Sequence, residues 1–297
     1  MLIFLYKLEM KKIAFLSCDD LTDFVVDDNL LYDSLKKNHP EILFDVVSWS
    51  DESINWSNYR FAILRTTWDY TKKIKPFIEK MKQIESSGCE LFNPLHIIKW
   101  NSFKTYLKDL ADKKVPIIDS YFLETESINS LKLKLNEDKQ YVIKPVVGAS
   151  ADHIQILSKD EILKKVSSIQ DHGIEEIKKW FIQPFIKEVA LGERSLFFLN
   201  SKFSHAVKKV PKDGDFRVQE EHGGLITSYK PTEEEHQFAN HAIEAIGQNL
   251  LYARIDFLKT NDGPKLIEME LIEPSFYFRT DLASVTRFID SVVHLYN

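Results

Sequence analysis

Tyr252-Ala-Arg-Ile-Asp-Phe-Leu258, then Asn261-Asp-Gly263, then Leu266-Ile-Glu-Met-Glu-Leu-Ile272 is the stretch that decides how this chain is read. Two apolar runs of strand length flank a tight-turn signal, which predicts a hairpin of Ala253–Lys259 and Lys265–Leu271. Alternate residues of a strand share a face. Glu268 and Glu270 therefore point the same way, and the turn can bring Asp256 beside them. Three carboxylates on one surface repel unless a cation compensates them. Hard oxygen ligands suit Mg²⁺, which also takes phosphate oxygens. The same alternation describes the wet face of an amphipathic hairpin equally well, and this stretch alone does not separate the two.

Working back from the hairpin, the final third is strand-rich, with Phe181–Pro184, Ser195–Leu199 and Phe203–Val210 read as strands and helices near Glu233–Gly247 and Asp281–His294. The middle segment reads as a small lobe. It has a helix near Phe103–Lys113, strands at Tyr121–Leu123, Tyr141–Lys144 and Ile154–Leu157, and a helix near Ser127–Leu135. A further helix starts at Ser158, with Glu161 three residues on as a capping box. The first hundred residues alternate apolar runs (Ile13–Ser17, Leu43–Ser48, Phe61–Leu64, Leu91–Phe92) with helical spacing over Asn29–Lys37 and Ile74–Ser86, which argues for a parallel sheet covered by helices. Ligands of such sheets bind beyond the strands' carboxyl ends, here Ser17 to Asp20 and Arg65 to Tyr70. The division expected is 1–98, 99–183 and 184–297.

A net charge of -6 argues against a nucleic-acid binder. Cys18 and Cys89 are far apart without CxxC spacing, which fits a reducing cytoplasm rather than a disulfide framework. Met1 to Leu8 is apolar but too short for a membrane span and lacks a cleavage site. Met10-Lys-Lys12 opens a normal first strand, so residues 1–9 are expected to be an upstream extension.

Two further motifs carry chemistry. In Lys144-Pro-Val-Val-Gly-Ala-Ser150 an apolar strand delivers a lysine to a loop of small residues. Glycine lets backbone N–H groups approach phosphate oxygens and lysine supplies a point charge; an ordinary strand end and turn reads as well. In Val210-Pro-Lys-Asp-Gly-Asp-Phe-Arg217, followed by Gly223-Gly224, a loop arginine could neutralise a phosphoryl group or simply form a surface ion pair. Lys208 and Lys209 point to opposite faces of a regular strand, so at most one faces a nucleotide. His205 and His222 lack metal-site spacing and read as structural or substrate-side residues.

In this order the pieces resemble the ATP-grasp superfamily, in its glutathione synthetase and RimK-like branch. The chain also looks similar to the cycloserine-forming ATP-grasp ligases through Arg65-Thr-Thr-Trp-Asp-Tyr70, Ser204-His-Ala-Val-Lys-Lys209, Gly214-Asp-Phe-Arg217 and Glu270-Leu-Ile-Glu-Pro-Ser275. The resemblance implies an α/β fold of three lobes: an N-terminal parallel α/β domain, a central lid, and a C-terminal antiparallel-sheet lobe, with ATP between the last two. By the same resemblance Lys104 and Lys144 hold nucleotide phosphates, and Gly148 to Ser150 form the phosphate loop. Gln183, Phe185 and Ile186 read adenine, Glu193 binds ribose, and Arg217 sits beside the transferred phosphate. Asp256, Glu268 and Glu270 bind two Mg²⁺ ions, for which Mn²⁺ is a substitute. Arg65, Trp68, Asp69, Gly223 and Gly224 are expected on the substrate side, although Trp68 reads equally as interface packing.

Two departures from the pattern stand out. Glu270 replaces a frequent asparagine, which keeps an oxygen ligand but adds charge. His153 stands where a second lid glycine is common.

The implied reaction joins a small-molecule carboxylate to an amine through an acylphosphate, releasing ADP and phosphate. No protein nucleophile is needed, in keeping with the absence of a Ser–His–Asp or Cys–His pattern. A small-molecule kinase or a non-catalytic ATP-binding module on the same scaffold are the competing readings. Family habit points to a homodimer, with neither nucleic acid nor membrane as partner. Asp256→Asn and Glu268→Gln are both expected to abolish turnover with little loss of fold.

Overall fold

The computed structural model describes residues 11–148 and 154–296. Along the chain run β1 (Lys12–Ser17), α1 (Asp28–Asn38), β2 (Phe44–Ser48), β3 (Tyr59–Thr66), α2 (Ile74–Ser86), β4 (Glu90–Phe92), α3 (Leu95–Asn101) and α4 (Tyr106–Asp112). Then come β5 (Tyr121–Phe122), α5 (Ile128–Lys134), β6 (Gln140–Pro145), β7 (Gln155–Ser158), α6 (Lys159–Asp171), α7 (Ile174–Ile177) and β8 (Trp180–Pro184). The last part holds β9 (Glu193–Leu199), β10 (Lys202–Val210), β11 (Leu225–Ser228), α8 (Glu233–Glu244), β12 (Tyr252–Thr260), β13 (Gly263–Glu270) and α9 (Ala283–Tyr296).

Three sheets result. The first is parallel, in the order β2-β1-β3-β4, as strand–helix alternation demands. The second (β5-β8-β6-β7) and third (β11-β10-β9-β12-β13) are antiparallel. Helix α6 begins with the capping box of Ser158 and Glu161, and Gly263 closes the β12–β13 turn at φ +98°. Among the described residues no helix is long and apolar enough to cross a membrane.

The predicted helix over Phe103–Lys113 begins at Tyr106, and α3 precedes it unannounced. Ile97 of α3 and the buried face of α4 enter the core beneath the third sheet, which Phe122 and Phe181 of the middle sheet also join. Tyr106, Leu107 and Leu110 join Leu196, Phe198 and Phe257 in one core, and Leu266 N–H donates to Pro116 O while Ile118 N–H donates to Leu266 O. The middle sheet has its own core, of residues such as Leu131, Tyr141, Ile162 and Ile182. A third core joins the first sheet to the third: Ile13, Phe15 and Ile63 pack with Phe197, Tyr252, Phe276 and Phe288.

Candidate active site

A cavity of about 220 Å³ opens where the middle sheet faces the third. On the middle-sheet wall, Val142 and Lys144 share one face of β6, and Val142 lies opposite Gln183 of β8. Lys144 Nζ donates to Gln183 Oε1 at 2.8 Å, and Gln183 Nε2 donates to Ser120 Oγ at 2.9 Å. Burial pushes the Lys144 ammonium down to about 8, Glu268 opposing and Lys104 assisting; a phosphate arriving there would restore its charge. Lys104 follows α3, donates to Gly148 O at 3.0 Å and pairs with Glu268. A Cβ on Gly148 would come within 2.7 Å of Pro145 Cγ, so the turn after Lys144 folds too tightly for a side chain. Ser150 and His153 lie outside the described residues. Phe185 and Ile186 follow β8 and line the cavity, with Phe185 N–H donating to Gln140 O at 2.9 Å.

The opposite wall is the third sheet. Arg254, Asp256 and Leu258 are alternate residues on one face of β12. Asp256 pairs in register with Glu268, and Arg254 with Glu270. A bulge follows, with Phe257 opposite Leu266, so that Ile267 is the extra residue and both it and Glu268 reach the cavity. The buried Asp256 is gripped by Arg254 (Nη2–Oδ2 2.9 Å) and by Lys209 (3.1 Å). Burial alone would raise its carboxyl; Arg254 and Lys209 bring it down to about 2. Lys209 also pairs with Glu193, and Arg254 with Glu270. Burial pushes Glu270 up to about 7, with Arg254 opposing and Asp256 and Glu268 adding to the rise.

Whether a metal fits follows from this inventory. Among the described residues no three His, Cys, Asp or Glu side chains stand gathered as a metal site, because Asp256, Glu268 and Glu270 are each turned to a cation. The cavity lining nevertheless sets seven carboxylates (Glu193, Glu220, Glu221, Asp256, Glu268, Glu270, Glu273) against five cations (Lys104, Lys144, Lys209, Arg217, Arg254). An acidic excess of hard oxygens fits a divalent cation once Glu268 and Glu270 exchange partners.

Arg217 lines the cavity from the loop after β10, half-exposed and held by Asp215 (Nη2–Oδ2 2.7 Å). The substrate-side candidates scatter. Trp68 lines the cavity, tilted against Phe24 at 4.9 Å. Asp69 instead accepts from Trp49 Nε1 at 2.6 Å and pairs with Lys73. Arg65 is fully buried, paired with Asp28 at 2.8 Å beneath Phe276 and Phe288. Gly223 adopts a left-handed turn, and a Cβ on Gly224 would lie 2.1 Å from Val218 O. The glycine pair therefore shapes the Arg217 loop, whose residues Val218 to Glu221 line the cavity.

The segment after β13 is neither helix nor strand, yet six consecutive carbonyls are each held by a side chain. Leu271 O accepts from Asn93 (2.8 Å), Ile272 O from Tyr252 (2.7 Å) and Glu273 O from Trp68 (3.0 Å). Pro274 O accepts from Arg65 (3.2 Å), Ser275 O from Arg254 (3.3 Å) and Phe276 O from His205 Nε2 (2.8 Å). His205 stacks on Phe197, and burial pushes its pKa down to about 4, so the ring is a neutral structural donor. Sequence reasoning missed Arg254 and Glu273. Arg254 was findable, lying two residues before Asp256 on the same strand face; Glu273 lies beyond the strand, where periodicity says nothing.

Residues 110–279 match the family of the prokaryotic glutathione synthetase ATP-grasp domain, and residues 13–93 match the N-terminal domain of the D-cycloserine synthetase DcsG. The chain belongs to the ATP-grasp family and, like its relatives named as ligases, is a C–N-bond-forming ligase; the fold uses ATP and typically a divalent metal ion. Among individual proteins it is similar to the cycloserine biosynthesis protein DcsG of Streptomyces lavendulae, 24% identical over 84% of this chain and 88% of the relative. The tetrahydromethanopterin:alpha-L-glutamate ligase of Methanocaldococcus jannaschii is 26% identical over 49% of this chain and 50% of its own. The crystal structure of D-cycloserine synthetase DcsG superposes with a TM-score of 0.82 at 22% identity, covering 96% of this chain and 99% of that one. The D-alanine–D-alanine ligase of Bacillus anthracis gives 0.67 at 14% identity, covering 96% and 97%.

Proposed function

We propose that this chain joins the carboxylate of a small amino-acid-like or peptide-like molecule to an amine, by way of an acylphosphate, with ADP and phosphate as products. The observation that carries the reading is a single cavity with Lys104, Lys144 and Gly148 on one wall and Asp256, Glu268 and Glu270 on the other. Such walls suit a polyphosphate on one side and its metal on the other. A carboxylate resists amines at neutral pH because its leaving group is poor, and phosphorylation by ATP supplies a better one.

In this reading Lys104 and Lys144 hold the phosphates, and Arg217 leaves Asp215 to meet the transferring phosphoryl group. Gln183, Phe185 and Ile186 read adenine; the Phe185 amide is already engaged by Gln140, so Ile186 is the backbone position for the purine edge. Glu193 takes the ribose. Asp256, Glu268 and Glu270 would hold Mg²⁺, which when bound neutralises charge on the phosphates. Relatives named as glutamate and D-alanine–D-alanine ligases support an amino-acid-like substrate. The free thiols of Cys18 and Cys89 suit a cytoplasmic enzyme.

The test is release of ADP and phosphate that requires Mg²⁺ and a member of a panel of D- and L-amino acids. Release of AMP and pyrophosphate would contradict the proposal, and a stable phosphorylated product without amine consumption would make the protein a kinase.

A further inference from the structure

Glu273 is the carboxylate in the cavity that the nucleotide and metal leave unused. Its residue is 8% exposed and lines the cavity. Among the described residues its side chain makes no hydrogen bond or ion pair, while every other interior acid has a cation: Glu193 and Asp256 have Lys209, Glu268 has Lys104, and Glu270 has Arg254. A buried carboxylate without a partner is costly. Folding offers no relief, because the flanking backbone is clamped at each of the six carbonyls from Leu271 to Phe276. The clamps fix an acid whose missing partner is a cation from outside.

The neighbourhood narrows that cation's chemistry. Trp68, whose indole N–H holds the Glu273 carbonyl, packs against Phe24, and both rings line the cavity. Aromatic faces attract organic ammonium groups, whereas Mg²⁺ prefers water and phosphate oxygens. The geometry points to Glu273 as the residue that receives the amine substrate, holding its ammonium group and taking the proton that must leave before nitrogen can attack. This deepens the ligase reading and rests on it for its chemistry.

In that reaction R–NH₃⁺ gives one proton to the Glu273 carboxylate and becomes R–NH₂. Its lone pair forms the C–N bond to the acyl carbon, and the C–O bond to phosphate breaks with its electrons going to phosphate. The second N–H proton leaves on the departing hydrogen phosphate. The groups facing Glu273 are Glu270 and Glu268 of β13, Lys104, Arg254 of β12 and the Tyr70 hydroxyl. Burial, then Glu270 and Glu268, push its carboxyl well above the ordinary range, with Lys104 and Arg254 opposing, which makes the ionised group a stronger proton acceptor.

The test uses the full chain loaded with MgADP. Glycinamide, an amino-acid-like ammonium without a carboxylate, is titrated calorimetrically near neutral pH. Native protein should bind it, Glu273→Gln should bind about 100-fold more weakly, and Glu273→Asp should keep part of the affinity; MgADP should bind all three alike. In turnover, hydroxylamine, uncharged near neutral pH, should still trap the acylphosphate in Glu273→Gln, while glycinamide-dependent product falls by a similar factor. Three results would each overturn the assignment: no glycinamide binding by native protein, equal binding by Glu273→Gln, or loss of MgADP binding in that variant, which would make Glu273 a metal ligand. Glycinamide binding as described, with no ADP or phosphate released from any acid tried, would instead count against the ligase reading and leave Glu273 as an ammonium site.

Discussion

Individual side chains in the cavity differ in what their removal should do. Glu268 is partly exposed and has one partner, Lys104. Glu268→Gln should therefore abolish turnover and change stability by less than about 1 kcal/mol. Asp256 is 3% exposed and balances two buried cations. Asp256→Asn strands part of that charge and should cost about 3 kcal/mol or more as well as activity, contrary to the expectation from sequence that the two substitutions behave alike. Urea denaturation of both variants measures the difference. Lys144 supplies a pH test. Burial holds its ammonium down at about 8, and phosphate binds the charged form. The Kd for ATP should thus be insensitive to this group below that value and rise up to about tenfold per pH unit above it. In Lys144→Met, binding should be weaker throughout and lack this rise; calorimetry across the range decides.

At the scale of elements, the pinned segment from Leu271 to Phe276 explains why residues expected at the substrate lie where they do. Arg65 lies next to the last residue of β3, where parallel sheets present binding loops, and that rule drew it into the site. The chain instead turns it inward, against Asp28 and the carbonyl of Pro274. Arg65→Met should leave Asp28 buried without a cation, with only the Tyr32 hydroxyl as donor, at about 3–5 kcal/mol; adding Asp28→Leu should recover most of the loss in the same denaturation assay. The β12–β13 hairpin was legible because alternation and an Asn-Asp-Gly turn are local signals. So was the capping box at Ser158. Helix α3 was not: Leu95–Asn101 is seven residues after a proline, too short for a periodic pattern to declare itself. Nor could Trp68, Arg65 and His205 be read as clamps, since their acceptors are carbonyls up to 209 residues away. Backbone acceptors are identical at every position and leave no mark in a sequence.

Across the whole molecule, the cores divide differently from the sequence-based segments. The first and third sheets share one core, α3 and α4 contribute to the core of the third sheet, and the middle sheet joins that core only through its edge residues such as Phe122 and Phe181 and has a smaller core of its own. Native-state hydrogen exchange should show residues 123–182 opening at lower free energy than the rest, and ATP should raise their protection most. Uniform exchange across all three sheets would contradict this. The six clasps on residues 271–276 also bear on how the chain reaches its working form. Their donors stand at positions 65, 68, 93, 205, 252 and 254, none nearer in sequence than twenty residues. Only the Tyr252 and Arg254 clasps can form with the β12–β13 hairpin; the other four each require a long loop to have closed already. Folding must bring the sheets together before those four can hold this backbone, so it should be among the last to order. A half-folded chain could then display all three sheets and still hold Glu273 nowhere in particular, which ties competence to completion of the fold.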